Sequence, residues 1–263
     1  MRTSHLLAFA GALSFFTAAL AQKPRINDGQ AHGDPPYLIE DGWRPLLNGK
    51  DLSGWHAQEQ GKPNEWFTSP YVLFDALNKP ALLAGHAAPG GRIINGPMRT
   101  VNLVTDEKFG DMELYLEFML AKGSNSGVYL HGLYEIQIFD SYGASALKYS
   151  DSGGIYHRWI NNQGVGGSPP SQNASRRPGE WQSYQIWFRA PRFNGGTKTE
   201  NARFLRVLYN GVAIQNNVDL EGGTRAHMDL PESATNPLML QGDHGPVAFR
   251  HIYWRPLRPM AGK

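Results

Sequence analysis

Residues 112–120 alternate between two kinds of side chain with a period of two. The even-numbered positions are all apolar: Met112, Leu114, Leu116, Phe118 and Leu120. The odd-numbered positions carry Glu113, Tyr115, Glu117 and Met119. Successive side chains of a β-strand point to opposite faces, whereas a helix repeats every 3.6 residues. The pattern therefore predicts a strand whose even-numbered face lies in a hydrophobic core.

Shorter β-runs separated by turn residues continue to the end of the chain. Asn210-Gly211 lies between two of them and favours a two-residue hairpin, because a type I′ turn needs positive φ at both central positions. Residues 238–241 and 247–254 are expected to form a closing pair around a tight turn. Helical periodicity is nearly absent, and a turn or two of helix is expected only at 141–149. With 30 Gly and 18 Pro, the chain is predicted to be an all-β sandwich or jelly roll.

Residues 1–21 have the features of a secretory signal peptide. Arg2 precedes an apolar stretch that is too short to span a bilayer, and Ala19-Leu20-Ala21 forms a small-x-small cleavage site. Residues 22–42 are interpreted as a linker or loosely attached N-terminal arm, 43–258 as the domain and 259–263 as a short tail. The mature protein is expected to be secreted, to a bacterial periplasm or the extracellular space, without a transmembrane segment.

Composition excludes several kinds of protein. The chain has no cysteine, which rules out a disulfide framework, a thiolate metal site and a cysteine nucleophile, and which suits a bacterial envelope. It carries 25 basic and 23 acidic residues, a net charge of +2, dispersed along the sequence. Such a distribution provides no basic surface for nucleic acid or anionic membranes. We therefore expect no nucleic-acid partner.

Two β-runs within residues 123–143 combine an apolar face with a polar one. The apolar face is predicted to carry Val128, Leu130, Tyr134, Ile136 and Ile138. The opposite face is predicted to carry Tyr129, His131, Glu135, Gln137 and Phe139. A phenol, an imidazole, a carboxylate and a carboxamide on one sheet face suit sugar hydroxyls, and aromatic planes suit the C–H face of a sugar ring. This face is the candidate site of a sugar-binding or sugar-processing protein.

Short motifs follow one another in a specific order along the chain. They include Leu47-Asn48-Gly49-Lys50-Asp51-Leu52-Ser53-Gly54-Trp55, Phe109-Gly110-Asp111, Asn125-Ser126-Gly127-Val128-Tyr129, Tyr134-Glu135-Ile136-Gln137-Ile138-Phe139-Asp140, Gly153-Gly154-Ile155-Tyr156, Leu240-Gln241-Gly242-Asp243-His244-Gly245 and Phe249-Arg250-His251-Ile252. Each motif is weak alone, but the ordered set is specific. It resembles the DUF1080 family, also called the 3-keto-disaccharide hydrolase domain, over about residues 43–256.

The resemblance implies a concanavalin A-like jelly roll of two curved antiparallel sheets that holds carbohydrate on a concave face. It also implies an enzyme that cleaves the glycosidic bond of a 3-keto-glycoside or 3-keto-disaccharide. A ketone at C3 acidifies the C2 hydrogen, so a base can remove that proton, the C1 substituent can leave, and water can add afterwards. Such a site needs a base, an acid, and a donor or cation near the enolate oxygen. Direct hydrolysis by two carboxylates is the alternative.

The chain departs from the family pattern at three positions. His131 stands where Arg or Gln is usual, Leu133 where Arg is frequent, and His251 where Asn is usual in the closing motif. The first two changes fall beside the expected site face, so they bear on substrate choice.

Glu135 is the candidate base, because it is expected mid-strand on the polar face beside Gln137. His131 is its candidate partner in proton transfer, because imidazole titrates near neutral pH. Residues expected to bind or stack on the sugar are Tyr129, Gln137, Asp140, His157, Trp181, Gln241, His244 and Arg250. Of these, His157 lies in a long loop that could cover the site, and Arg250 would stabilise the enolate oxygen. Each also has an ordinary structural alternative in a turn, a core or an ion pair.

Other kinds of site and of protein are also compatible with these residues. A divalent metal is an option, because His131, Glu135, Asp140, His157 and His244 offer imidazole and carboxylate ligands. No His-x-His or His-Glu-x-x-His spacing accompanies them. A non-catalytic, lectin-like carbohydrate-binding module is the main rival, and a surface interaction protein is a third reading. Ionisable groups outnumber tryptophans on the predicted polar faces, which favours the enzyme.

Overall fold

The computed structural model describes residues 34–96 and 99–257. The predicted signal peptide, residues 22–33 of the predicted arm and the tail at 259–263 lie outside the described residues. Within them the regular structure is one short helix, α1 (Pro36–Ile39), and nineteen strands. The strands are β1 (Arg44–Pro45), β2 (Trp55–Ala57), β3 (Phe67–Ser69), β4 (Leu73–Asp75), β5 (Lys79–Ala84), β6 (Arg92–Ile94), β7 (Leu103–Phe109), β8 (Met112–Leu120), β9 (Asn125–Leu130), β10 (Tyr134–Phe139), β11 (Arg158–Ile160), β12 (Gln163–Val165), β13 (Gln182–Arg189), β14 (Arg192–Asn194), β15 (Thr197–Glu200), β16 (Ala202–Tyr209), β17 (Val212–Leu220), β18 (Asn236–Leu240) and β19 (Val247–Pro256).

Most of these strands form two antiparallel sheets that enclose one core. The large sheet has the order β17-β16-β13-β8-β19-β6-β3, with β1 paired to β19, and the small sheet has the order β10-β9-β18-β7-β2. Three two-stranded ribbons, β11–β12, β14–β15 and β4–β5, complete the structure. The all-β, concanavalin A-like jelly roll implied by the resemblance is confirmed.

The core lies between the sheets and is built from alternate residues of their strands. All five even-numbered residues of β8 are at most 1% exposed, and they share one cluster with Val128, Ile136 and Leu238 of the small sheet. The strand predicted over 112–120 is confirmed with the same ends. Burying each large apolar side chain stabilises the fold by about 1.5–3 kcal/mol, so this alternation anchors β8 between the sheets. Its odd-numbered residues are left on the outer face of the large sheet.

The predicted hairpin at Asn210-Gly211 is also confirmed. Tyr209 pairs with Val212 across it, and both turn residues have positive φ, 49° for Asn210 and 79° for Gly211. The hairpin joins β16 and β17 at one edge of the large sheet.

The expected pairing of residues 238–241 with 247–254 is wrong. β18 lies between β9 and β7 in the small sheet, whereas β19 lies between β8 and β6 in the large sheet. The turn that joins them therefore crosses from one sheet to the other. The Asn95 side chain holds this turn by donating to the carbonyl oxygens of Gly242 (3.0 Å) and Gly245 (2.7 Å).

The helical turn expected at 141–149 is wrong as well, since these residues form turns and bends. The Asn173 amide donates to the carbonyl oxygens of Ser141 (2.8 Å) and Ala144 (2.9 Å), and Asp151 accepts from the backbone of Lys148 (2.8 Å). These side chains satisfy backbone groups that a helix would pair internally, so the segment has no need of helix.

Residues 34–42, the described end of the predicted arm, are anchored to the outer face of the large sheet. Tyr37 stacks on Tyr253 with ring centroids 4.1 Å apart, and Arg255 bonds the Glu40 carboxylate and the carbonyl oxygen of Asp41. The loose attachment expected from composition does not hold here, because the anchoring partners come from the other end of the sequence. None of the described helices is long and apolar enough to cross a membrane.

Candidate functional site

Glu135 projects from the outer face of the small sheet, away from the core. In the pairing of β10 with β9, Glu135 is opposite Tyr129 and Gln137 is opposite Gly127. Ile136 belongs to the core cluster, so its two neighbours in β10 point the other way. The strand parity predicted for β10 is confirmed.

The Glu135 carboxyl is buried, and it forms no ion pair with any residue in the described ranges. Glu135 is only 3% exposed. Burial raises its pKa to about 8; the Tyr129 hydroxyl opposes the rise, and the charge of Asp243 adds to it. The Gln137 amide, assigned with its nitrogen toward two acceptors, donates to Glu135 Oε1 (3.0 Å) and the Ser126 carbonyl oxygen (3.0 Å). A carboxyl with a pKa near neutrality is suited to moving protons at physiological pH.

Gly127 makes room for this carboxyl. A Cβ at position 127 would lie 2.2 Å from Glu135 Oε1, far inside van der Waals contact. The backbone nitrogen of Gln241 donates to the Gly127 carbonyl oxygen (2.9 Å), which brings the end of β18 to the same place. The Gln241 Oε1 is buried and has no hydrogen-bond partner among the described residues. Gly127 therefore lies against the Glu135 carboxyl and is bonded through its backbone to Gln241.

Residues 153–156 run beside β10 and add a phenol to the same face. The Gln137 nitrogen donates to the Gly154 carbonyl oxygen (2.8 Å), and the Gly153 nitrogen donates to the Gln137 carbonyl oxygen (2.8 Å). The Tyr156 nitrogen donates to the Glu135 carbonyl oxygen (3.3 Å). Ile155 is buried in the core, so Tyr156 points to the side of Glu135. Burial raises the pKa of Tyr156, and the negative charge of Glu135 raises it further. Tyr156 was not among the predicted site residues, because the segment lies in a loop without periodicity.

Four rings pack together around His157, and we call Tyr149, Tyr156, His157 and Trp159 the aromatic cluster. Ring centroids are 5.5 Å apart for Tyr149 and Tyr156, 4.5 Å for Tyr156 and His157, and 5.9 Å for His157 and Trp159. Tyr149 and Trp159 are 37% and 48% exposed. Partly open ring faces next to hydrogen-bonding groups suit stacking on a sugar ring.

Arg225 adds a positive charge to this cluster and was also missed from sequence. Its guanidinium lies 4.1 Å from the Trp159 ring centre. Its backbone nitrogen donates to the His157 carbonyl oxygen (2.8 Å), and its carbonyl oxygen accepts from the Tyr129 hydroxyl (3.2 Å). Arg225 thus links the loop to β9. It follows Gly222-Gly223-Thr224 in a long loop, where no repeating pattern marks it.

His157 is buried in the aromatic cluster, and neither of its ring nitrogens has a hydrogen-bond partner among residues 34–96 and 99–257. Burial lowers its pKa, and the charge of Arg225 lowers it further. The imidazole is therefore neutral at pH 7, with one nitrogen able to donate and the other able to accept. Leaving a buried polar group unpaired costs about 1–3 kcal/mol, so a ligand hydroxyl would be favoured here.

His131 does not lie on the face of Glu135, and that expectation is wrong. It follows β9 in a turn with φ 57°, and its ring packs edge-on against Phe188 of the core, with centroids 4.9 Å apart. Burial lowers its pKa to about 4. The alternation that placed it beside Tyr129 ends at Leu130, where the strand ends. Leu133, another departure from the family pattern, is buried in the core.

Trp181 and Arg250 lie on the outer face of the large sheet, so the sandwich separates them from Glu135. Asp140 accepts from the backbone nitrogen of Gly123 (2.9 Å), which gives it a role in a turn. His244 is exposed and paired with Asp243 (2.5 Å). The predicted binding set is therefore divided. Tyr129, Gln137 and Gln241 lie around Glu135 or the facing Gly127, and His157 lies in the adjoining aromatic cluster. Asp140 and His244 lie in turns, and Trp181 and Arg250 lie on the other sheet.

The metal ligands considered from sequence do not come together. Within the described residues, no three His, Asp or Glu side chains are grouped closely enough to hold a metal ion. His131 and Asp140 are occupied in turns at the two ends of the β9–β10 pair, which explains the dispersal.

Comparison with known proteins assigns the domain to a family. The model of the 3-keto-alpha-glucoside-1,2-lyase-like domain matches residues 42–255. A crystal structure from Parabacteroides distasonis ATCC 8503, described as a "putative glycosyl hydrolase", has a TM-score of 0.58 at 27% identity over 82% of this chain and 84% of its own. A second from the same organism, described in the same words, has a TM-score of 0.55 at 16% identity over 87% and 100%. No curated protein matches. The chain belongs to the 3-keto-alpha-glucoside-1,2-lyase-like domain family and is a carbohydrate-active protein.

Proposed function

We propose that the Glu135 face is the active site of an enzyme that cleaves the glycosidic bond of 3-keto-glycosides by elimination across C1–C2, followed by hydration. The observation that carries the proposal is the buried Glu135 carboxyl, which lacks an ion-pair partner among the described residues and has a pKa raised to about 8. Once such a buried carboxyl has lost its proton, it is a stronger base than a carboxylate in water. Removal of a proton beside a ketone requires a base of this kind.

The proposed reaction begins at C2 of the keto sugar. The Glu135 carboxylate takes the C2 proton, and the electrons of that C–H bond form a C2=C3 double bond with negative charge on the C3 oxygen. When the ketone re-forms, C1=C2 becomes the double bond, and the C1–O bond breaks with its electron pair on the leaving oxygen, which takes up the proton that Glu135 removed from C2. Water then adds hydroxyl to C1 and hydrogen to C2, so the net change is hydrolysis.

The surrounding residues match the other needs of this sequence. Arg225 supplies the cation that was expected from Arg250. Its charge opposes the rise in the pKa of Tyr156 and contributes to the lowered pKa of His157. A cation there favours the enolate oxygen. His157 and Tyr156 can bond the leaving oxygen, while Gln137 and Gln241 offer amide groups for sugar hydroxyls. The rival two-carboxylate mechanism needs a second free carboxyl. Asp243, the carboxylate whose charge helps to raise the pKa of Glu135, is exposed and paired with His244, so it is not free.

Turnover in D₂O tests the proposal directly. We expect a 3-keto-glucoside to be cleaved, its unoxidised parent to stay intact, and the free 3-keto sugar to carry deuterium at C2. A sample without protein measures spontaneous exchange at C2. Cleavage without deuterium at C2, or equal cleavage of the parent, would establish direct hydrolysis instead. Saturable sugar binding with no turnover would establish the lectin-like module.

Gly127→Ala is expected to lower kcat/KM for the keto substrate by about 100-fold, because an added methyl group displaces the Glu135 carboxyl and misplacement by about 1 Å costs that much. Gly91→Ala is the matched control, since a Cβ there meets nothing within 4 Å. Thermal unfolding of both variants separates misplacement from unfolding. Wild-type turnover in a folded Gly127→Ala protein would show that the carboxyl is not used in this position.

A further inference from the structure

A cavity of about 220 Å³ opens on the outer face of the large sheet, with the core between it and Glu135. Tyr115, Glu117, Trp181, Ser183 and Arg250 line it, and the anchored segment that begins at Asp34 closes one end. The cavity thus contains the two predicted sugar-binding residues that the fold separates from Glu135, Trp181 and Arg250.

A distortion of β19 builds the polar wall of this cavity. Arg250 and His251 are consecutive, yet both reach Glu117: Arg250 Nε donates to Oε2 (2.5 Å), and His251 Nδ1 is 3.2 Å from Oε1. Consecutive residues of a regular strand point to opposite faces. Here the pairing with β8 shifts between Arg250 and Tyr253, and His251 has a left-handed backbone with φ 49°. Bulges of this kind re-aim side chains and are frequent next to functional sites.

The Glu117 carboxylate is held ionised by its neighbours. It also accepts from the Tyr115 hydroxyl (3.0 Å). Burial alone would raise the pKa of Glu117, but the hydrogen bonds and charges of His251 and Arg250 outweigh burial and hold it below its usual value. A carboxylate fixed in this way has no proton to exchange near neutral pH. Glu117 can therefore accept hydrogen bonds but is not itself a general acid.

Arg250 has hydrogen-bond donors that no described residue accepts from. Its guanidinium lies 4.2 Å from the Trp181 ring centre, and its Nε is used by Glu117. Its two terminal nitrogens make no hydrogen bond to another residue in the described part of the chain. Arg250 lines the cavity together with Ser183 and Gln185. Donors and acceptors are thus presented together, as sugar hydroxyls require.

The charges of the lining residues balance, which favours a neutral ligand. Asp34 and Glu117 are acidic, and Arg176 and Arg250 are basic. The volume lies below the range of about 300–1,000 Å³ that is typical of pockets for drug-sized ligands, so it suits a group as small as one sugar residue.

We propose that this cavity is a second, non-catalytic saccharide site that takes one residue of a neutral glycan. It lies on the sheet opposite the Glu135 face and does not depend on the reaction proposed there.

Binding measurements with a fixed set of unoxidised probes test the proposal. Cellohexaose, maltohexaose, laminarihexaose and mannohexaose are titrated by calorimetry into the wild-type protein and four variants. We expect at least one probe to bind wild type and Glu135→Gln equally. Arg250→Gln, which removes the free donors, and Ser183→Phe, which fills the cavity while keeping the Glu117 ion pair, should each weaken that binding at least tenfold. Arg206→Gln, an exposed position on the outer face of neighbouring β16, should not.

Thermal unfolding of each variant shows whether it is folded, and Ser183→Phe decides the matter if Arg250→Gln is not. Three results would overturn the proposal: no binding of any probe at millimolar concentration, undiminished binding in a folded Ser183→Phe protein, or loss of the binding in Glu135→Gln. The last would place the glycan on the small sheet. Failure of keto-sugar turnover would leave these outcomes unaffected, so the two proposals fail separately.

Discussion

Replacing Glu135 by Gln is expected to lower kcat for a 3-keto-glycoside by about 10²–10⁴-fold, the usual contribution of a positioned general base. The amide has the shape of the carboxyl and can still accept from the Gln137 amide, but it cannot take a proton. The fold should be retained, because no ion pair of the described residues depends on Glu135. Steady-state kinetics with saturating keto substrate measure the effect.

Glu107→Gln is the matched control for this loss. Glu107 is an exposed carboxylate on β7, paired with Arg44 at 3.4 Å on the surface of the protein. Its replacement should leave kcat within about twofold, since exposed ion pairs contribute little. If Glu135→Gln kept more than a tenth of the wild-type kcat, another group would have to remove the C2 proton.

Relative to Glu135→Gln, the wild-type protein is expected to lose free energy of unfolding as pH rises from 5 to 9. The pKa of a glutamate side chain is ordinarily 4.5, the value taken for the unfolded chain, and that of Glu135 is about 8 in the folded protein. Between these values the folded state keeps a proton that the unfolded state has lost, so stability decreases with pH. The contribution is complete below pH 4.5 and lost above pH 8. A difference of about 3.5 pH units corresponds to about 5 kcal/mol.

Urea unfolding of both proteins at pH 5, 7 and 9 measures this difference. The variant should gain on wild type by several kcal/mol across the series, with the largest gap at pH 9. Parallel pH dependences for the two proteins would show that the Glu135 carboxyl is hydrated or paired in solution. The expected result would mean that the protein retains a destabilising carboxyl at neutral pH, a cost typical of functional positions.

The strands and their faces could be predicted from sequence where every second residue enters the core. This holds for β8 and β10, whose alternation leaves Glu117 and Glu135 on the outer faces of their sheets. The pattern is local, so it could not show which strands share a sheet. β18 and β19 are neighbours in sequence but lie in different sheets, and Gln241 and Arg250 were therefore assigned to one site although they follow or belong to strands of different sheets.

The errors within the candidate site have equally local causes. His131 was placed by extending the period of β9 one residue beyond its end, into a turn with positive φ. At His251 a bulge puts two consecutive residues on one face, which no period of two can anticipate. Tyr156 and Arg225 come from loops, where position depends on backbone contacts with distant residues. Such contacts leave no repeating signal in the sequence.

The segment at 153–156 has a consequence for how the protein behaves in a concentrated solution. β10 is the last strand of the small sheet, and an uncovered last strand offers unpaired amide and carbonyl groups to other molecules. Gly153, Gly154 and Tyr156 occupy those groups on Glu135 and Gln137. If the protein admitted a sugar by lifting this segment, the unpaired edge of β10 would be exposed to other molecules each time. The segment that borders the proposed active site thus also covers a sheet edge that would favour self-association, and access to the site is favoured from above the sheet rather than from its side.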